Sequence, residues 1–201
     1  MLTRCLWVAL FGSLACVSAG CRTGAVGESL PAWTKSVSYY EDTRPELIYF
    51  GGSGEACQTR LLAARAGAEA AYASVAQYVG ETVALKWRGS DRPDTFPGGQ
   101  SVAIVAAELI ESAVAEGTVE FTEPVDVYVE RVRRRHLGRG VEMYRSHHLY
   151  GLEAKALAEI GKAAAPRIAH EMERETDAVR KEQLKKLAGT MSALTEKDFA
   201  H

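Results

Sequence analysis

The sequence has no strong excess of charge of either sign. Its 24 lysines and arginines nearly balance its 26 aspartates and glutamates, giving a formal net charge of -2. Proteins that bind nucleic acid over a broad surface carry a strongly basic footprint, so this class of partner is disfavoured. With 25% charged and 47% hydrophobic residues, the composition is typical of a folded soluble protein rather than a disordered or fibrous one.

Cysteine is also scarce, and its positions argue against a disulfide scaffold. Cys5 and Cys16 lie in an N-terminal segment that we expect to be removed, which leaves Cys21 and Cys57. If Cys21 carries a lipid, Cys57 has no intrachain partner. Two interpretations of Cys57 remain open: a reactive or intermolecular thiol, and a small semi-buried residue near a helix start, which we favour.

The N-terminal apolar run is too short for a comfortable transmembrane helix. It extends without charge from Cys5 to Val17, whereas a membrane-spanning helix needs about 20 apolar residues. Arg4 precedes the run and small residues follow it at positions 18–20. A basic start, a short apolar run and small residues before a cleavage point are typical of secretory signals. We therefore predict that residues 1–20 form a signal peptide.

Residues 18–21, Ser-Ala-Gly-Cys, resemble the lipobox of bacterial lipoproteins. In that family the cysteine receives diacylglycerol on its sulfur and becomes the first residue of the mature protein. The resemblance implies that Cys21 is the lipid-attachment residue and that acyl chains anchor the protein to a membrane. Arg22, in place of the aspartate associated with inner-membrane retention, implies the outer membrane, facing the periplasm. The alternative is ordinary cleavage after Ala19, with Cys21 as a free thiol.

The rest of the chain divides into three predicted segments. Residues 21–45 have little hydrophobic periodicity and several glycines and prolines, which predicts a lipid-anchored tether. Trp33, Tyr39 and Tyr40 indicate that its later part packs on the domain. Residues 46–165 predict an α/β domain, and residues 166–201 a charged C-terminal helix.

The fold class that we predict is α/β (α+β): a single compact domain of strand-helix-strand and helix-hairpin units with a long C-terminal helix. The first unit has a strand at 47–50, a helix that ends near Gly80, and a strand from Val83 to Trp87. The helix carries a narrow alanine-rich face that should let it lie close to a sheet. That face comprises Leu61, Ala64, Ala68, Ala71, Tyr72, Val75 and Val79.

The second unit begins with an amphipathic helix from about Val102 that should end near Gly117. A strand starting at Val119 and a hairpin that reverses at 138–140 follow. Pro166 is expected to kink or divide the next helix. The charged stretch at 170–186 predicts either a partner-binding or coiled-coil arm or, as we favour, a surface helix with a thin apolar stripe.

Several of these features together resemble the LPP-twenty lipoprotein family. They are Pro-Ala-Trp at 31–33, Tyr-Phe-Gly-Gly-Ser-Gly at 49–54, the alanine-spaced helix and the 83–87 strand. The resemblance covers roughly residues 31–88, and more loosely the hairpin up to Leu152. It implies a compact strand-helix-strand-strand module at the outer membrane, as in flagellar basal-disk and assembly lipoproteins, with no known catalysis. The arginine-rich run and the charged C-terminus lie outside this pattern.

No catalytic, metal or cofactor motif stands out. Arg174 occupies the position where a zinc protease would have its second histidine after His170, and Cys57 replaces the third glycine of a dinucleotide-binding turn. His147 and His148 are adjacent on a predicted strand and should point to opposite faces, one at the surface and one partly buried. We therefore expect no cofactor, no metal site and no enzyme.

The arginine-rich run is the candidate ligand surface. An anionic-ligand patch for lipid head groups, lipopolysaccharide phosphates or an acidic partner is one interpretation. The other, which we favour slightly, is an exposed edge strand protected from aggregation by charge. The residues of the patch are Arg131, Arg133, Arg134, Arg135 and Arg139.

The sequence thus predicts a lipid-anchored bacterial envelope lipoprotein with a non-enzymatic structural or assembly role at the outer membrane. Its expected partners are the membrane, through the N-terminal lipid, and envelope proteins or further copies of itself. Two alternatives remain: a periplasmic binding module for an anionic envelope ligand such as a lipid head group, lipopolysaccharide or a peptidoglycan component, and an unrecognised hydrolase.

Overall fold

The computed structural model describes residues 22–23, 29–35, 44–88, 94–117, 123–136 and 139–199. The predicted signal peptide and Cys21 lie outside these ranges. Within them the chain combines one sheet with five α-helices, so the α/β class predicted from sequence is confirmed. A large apolar core links the sheet to all five helices.

Over the described residues the sheet has four strands in the order β1-β3-β4-β2. Strands β3 (Asp126–His136) and β4 (Arg139–Glu153) form the predicted hairpin, and their register closes on the pair His136 and Arg139. Strand β2 (Leu47–Ser53) lies antiparallel to β4, and the two-residue β1 (Arg22–Thr23) lies parallel to β3. Strand β4 is therefore central and presents side chains to both faces of the sheet.

The first helix, α1 (Arg60–Arg88), runs for 29 residues across one face of the sheet. The predicted stop at Gly80 and the predicted strand from Val83 to Trp87 are both wrong. The alternation that suggested a strand is incomplete, because Leu85 is 61% exposed while Val83 and Trp87 are buried. Val83 and Trp87, four positions apart, continue the buried helical stripe that begins at Ala63.

The buried stripe of α1 is displaced by one position at its start from the predicted alanine-rich face. Leu61 is 80% exposed and Leu62 51% exposed, whereas Ala63 and Gly67 are buried. The stripe therefore follows a strict four-residue spacing that favours the smallest side chains. These residues are Ala63, Gly67, Ala71, Val75, Val79, Val83 and Trp87.

Small residues on both sides bring α1 close to the sheet, as the alanine-rich face predicted. A Cβ atom added to Gly52 on β2 would lie 2.0 Å from the backbone nitrogen of Ala71. On the helix, a Cβ atom added to Gly67 would lie 2.6 Å from the carbonyl oxygen of Ser146 on β4. Neither position has room for a side chain while helix and sheet keep this separation.

Helix α2 (Val102–Ala115) begins where the sequence predicts. The Ser101 side chain caps it by accepting a hydrogen bond from the Ile104 amide. Gly117 follows its C-terminus with a φ of 72°, a left-handed conformation that glycine adopts readily. The predicted strand from Val119 falls on residues 118–122, outside the described ranges.

The C-terminal part forms three helices, α3 (Ala154–Ala164), α4 (Arg167–Arg174) and α5 (Ala178–Ser192). Pro166 separates the first two, as predicted. The prediction of a single charged C-terminal helix is wrong, because the helical backbone is interrupted at 175–177. The Asp177 side chain caps α5 by accepting hydrogen bonds from the Val179 and Arg180 amides. Helix α5 also contributes buried residues to the common core, including Leu184, Leu187 and Met191.

Parts of segment 21–45 pack against the domain, which differs from an extended tether. Arg22–Thr23 is a strand of the sheet, beside Tyr128 and Val129. Trp33, in a short 3-10 helix at Ala32–Thr34, is buried against the face of the sheet opposite α1. The packing predicted for Trp33 is confirmed, whereas Tyr39 and Tyr40 lie outside the described residues.

Candidate functional site

The arginine-rich part of the hairpin lies at an edge of the described sheet. Strand β1 pairs with β3 only at Tyr128 and Val129, and no other described strand lies on that side of β3. Arg131 and Arg133 extend beyond this short pairing and their side chains are exposed. The edge strand predicted from the sequence is therefore present over the described residues.

The structure places the five predicted patch residues on the two strands of one hairpin. Arg131 pairs with Tyr144, and Arg133 pairs with Glu142, so both point toward the same face as α1. The backbones of Arg134, Arg135 and Arg139 pair within the hairpin, but the structure does not describe their side chains.

Helix α1 adds cationic and apolar groups beside this hairpin. The Arg60 guanidinium lies 5.4 Å from the centroid of the Tyr144 ring, which is within range of a cation–π interaction. Because Tyr144 is the strand partner of Arg131, the start of α1 adjoins the patch. The exposed Leu61 and Leu62 follow Arg60 directly, so this end of the protein combines positive charge with large apolar side chains.

The opposite face of the sheet contains a polar pocket of about 370 Å³. It is lined by Ser53, Gly54, Glu55, Arg145 and His147. The strand register explains the grouping, because Ser53 on β2 and Tyr128 on β3 both pair with His147 on β4. Directly paired residues of antiparallel strands project to the same face.

A chain of polar contacts links the residues of this pocket to β3. Ser53 Oγ lies 2.7 Å from His147 Nδ1, and His147 Nε2 lies 3.4 Å from Glu130 Oε1. Arg145 Nη1 donates a hydrogen bond of 3.1 Å to the same Glu130 oxygen. His147 is only 4% exposed, and its burial lowers its pKa, an effect that Glu130 partly opposes. The imidazole is therefore neutral at pH 7.

His148 occupies the other face, beneath α1. Its ring lies close to Gly67, at which an added Cβ atom would be 2.7 Å from His148 Cδ2. Burial, followed by the neighbouring His147, lowers the pKa of His148 to about 4. The prediction that the two histidines point to opposite faces is confirmed. The prediction that one of them lies at the surface is wrong, because both side chains are buried. His148 is 7% exposed, because both faces of β4 are covered.

Cys57 is half-buried three residues before α1, as the favoured interpretation predicted. Its backbone amide donates to the Tyr144 carbonyl and its own carbonyl accepts from the Tyr144 amide. These two hydrogen bonds form an antiparallel bridge to β4, beyond the end of β2 and nearer to the turn of the hairpin. Among the described residues, no group of three or more histidine, cysteine, aspartate or glutamate side chains is placed to hold a metal ion.

Sequence reasoning missed the Ser53, His147 and Glu130 contacts. The alternation along β3 and β4 indicates that Tyr128, Glu130, Arg145 and His147 share a face. Ser53, however, is 94 positions from His147 in the chain. Only the pairing of β2 with β4 brings them together, and no local sequence pattern specifies that register.

Over the described residues, none of the helices is both long enough and apolar enough to cross a bilayer. Comparisons with models of protein families, with curated proteins and with solved structures found no match to this chain.

Proposed function

We propose that this chain is a lipid-anchored envelope protein with a structural or assembly role at the outer membrane, facing the periplasm. The lipobox-like Cys21 and the preceding signal pattern support a lipid at the first mature residue. The observation that carries the proposal further is the pairing of Arg22–Thr23 with β3. Since Arg22 is the covalent neighbour of Cys21, a lipid there would hold the sheet near the bilayer.

The position of β1 also relates the anchor to the arginine-rich edge. Arg22 pairs with Tyr128, while Arg131 and Arg133 lie farther along the same strand. At about 3.3 Å per residue, these arginines lie roughly 10 and 17 Å from the level of Arg22. Cations on the same edge as the lipid would add electrostatic attraction for anionic head groups to the hydrophobic anchor.

The lipid anchor is testable by labelling. We expect the full-length protein, expressed in a bacterium that processes lipoproteins, to incorporate a palmitate analogue and enter the detergent phase on partition. Cys21→Ala should abolish both properties, because the sulfur that accepts the lipid is removed. Cys57→Ala is the matched control and should leave labelling unchanged. An unmodified mature N-terminus by mass spectrometry would contradict the proposal.

The arginine edge supports the second candidate function, binding of an anionic envelope ligand, and is testable separately. Each arginine near an anionic bilayer contributes about 1 kcal/mol. We therefore expect the combined substitution Arg131→Ser, Arg133→Ser and Arg135→Ser to weaken binding to vesicles containing anionic lipid by about 100-fold at low salt.

The control for the arginine variant replaces Lys181, Lys185 and Lys197, three exposed cations of the C-terminal part, by serine. It changes net charge equally but leaves the hairpin intact. Circular dichroism should show that both variants fold. Equal vesicle binding by the two variants would mean that the hairpin arginines only protect an edge strand.

A further inference from the structure

Ser53, His147 and Glu130 form a linked set that the proposed function does not use. We propose that Ser53 is an activated nucleophile that attacks small carboxylic esters, with His147 as its general base and Glu130 as a positioning residue. The inference depends on the pocket alone and not on the lipid anchor. It departs from the sequence-based expectation of no enzyme, which rested on local motifs alone.

The first step concerns the proton on the His147 ring. Glu130 Oε1 lies 3.4 Å from Nε2, and an ionised carboxylate there favours the tautomer with its proton on Nε2. Nδ1 then has a free lone pair, which accepts the hydroxyl proton of Ser53 across 2.7 Å. Ser53 and His147 thus supply a nucleophile and a base, while Glu130 acts on the ring through its charge, since His147 Nε2 makes no hydrogen bond among the described residues. The two ring nitrogens exchange the roles they have in serine proteases.

The second step concerns access to the nucleophile. Ser53 is exposed, while His147 is almost wholly buried, so a substrate would meet the hydroxyl before the imidazole. Both line the 370 Å³ pocket, a volume within the range of small-molecule sites. Arg145 lines the same pocket; its Nη1 is paired with Glu130, and its remaining guanidinium N–H groups would donate to the oxyanion that develops during attack.

The reaction balances with water as the second substrate. Ser53 Oγ bonds to the acyl carbon, its proton passes to His147 Nδ1, and the bond to the alcohol oxygen breaks as His147 returns the proton to that oxygen. Water then attacks the acyl-serine while His147 takes its proton, and the carboxylic acid leaves as Ser53 recovers its hydrogen. Glu130 stabilises the imidazolium that forms in each half.

A fluorophosphonate probe tests the nucleophile directly, because its phosphorus forms a bond to an activated serine oxygen and loses fluoride. We expect the purified full-length protein to carry one adduct, at Ser53, by peptide mass spectrometry. Ser53→Ala should abolish labelling, and His147→Gln should slow it at least 100-fold, the usual loss for a general base. Ser74→Ala is the control, since Ser74 Oγ donates to the backbone carbonyls of Gly51 and Ala70.

Two further readouts separate catalysis from a structural role. Glu130→Gln should slow labelling at least tenfold, and Glu130→Asp should restore part of the rate. p-Nitrophenyl acetate should give an initial burst of one nitrophenolate per protein chain, as each Ser53 is acetylated. An absent adduct at Ser53, or labelling at an unchanged rate in folded His147→Gln or Glu130→Gln, would overturn the proposal. If His147→Gln does not fold, the labelling rates of Glu130→Gln and Glu130→Asp decide between catalysis and a structural role.

Discussion

Replacing Gly52 by alanine is expected to lower the free energy of unfolding by about 3 kcal/mol or more. The new Cβ atom would lie 2.0 Å from the Ala71 nitrogen and 2.4 Å from its Cα. Both are backbone atoms of α1, so no side-chain rotation relieves the clash and the helix must move away from the sheet. Urea unfolding followed by the fluorescence of the buried Trp33 and Trp87 measures the change.

Gly189→Ala is the matched control for this prediction. Gly189 lies within α5, and an added Cβ atom would meet nothing within 4 Å. Alanine there should stabilise the protein by about 0.5–1 kcal/mol, because glycine is the poorer helix former. Equal unfolding midpoints for Gly52→Ala and the wild type would show that helix and sheet are not in close contact at this position.

The close helix–sheet contact illustrates what the sequence could predict. Small residues recurring along α1 and the glycines that end β2 both indicate a helix that lies near a sheet, and both features are present. The length of α1 could not be predicted in this way. Val83, Leu85 and Trp87 alternate like a strand, but Trp87 packs near Phe96 and joins the common core, so tertiary contacts override the local pattern.

The arginine-rich hairpin and the Ser53–His147 pocket also differ in how far the sequence could predict them. The arginine hairpin is continuous in the sequence, so its alternation and its reversal were sufficient to predict two strands and an exposed edge. The pocket depends on contacts between residues far apart in the chain, and its central pair combines an exposed Ser53 with a buried His147. Neither residue stands out locally, because serine in a glycine-rich turn and histidine in a strand are common.

His148 gives the second large expected effect, a loss of stability in mild acid. Its pKa is lowered by burial to about 4, whereas an unfolded histidine has a pKa of about 6.5. Between these values the unfolded state binds more protons than the folded state, so the free energy of unfolding falls as pH falls. The stability is fully present above pH 6.5 and decreases down to pH 4. The total loss is about 3 kcal/mol.

The pH window separates His148 from the carboxylates. Burial alone would raise the pKa of the Asp198 carboxyl, but hydrogen bonds from Lys86 and Thr195 outweigh this effect and hold the pKa below its ordinary value. Protonation of Asp198 therefore destabilises the fold only at lower pH. His147, whose pKa is also lowered by burial, acts in the same direction as His148 and adds to the loss as pH falls below about 6.5.

Urea midpoints measured between pH 7.5 and pH 4 distinguish these groups. His148→Leu keeps a side chain of similar size under α1 but cannot take up a proton, so its stability should fall much less than that of the wild type across this range. His170→Gln is the control, because His170 is exposed on α4 and its imidazole keeps its hydration on folding. Parallel pH profiles for the wild type and His148→Leu would show that the buried ring does not determine acid sensitivity. A flatter profile in His148→Leu, with an unchanged profile in His170→Gln, would assign the lost part of the acid sensitivity to the imidazole that packs against Gly67.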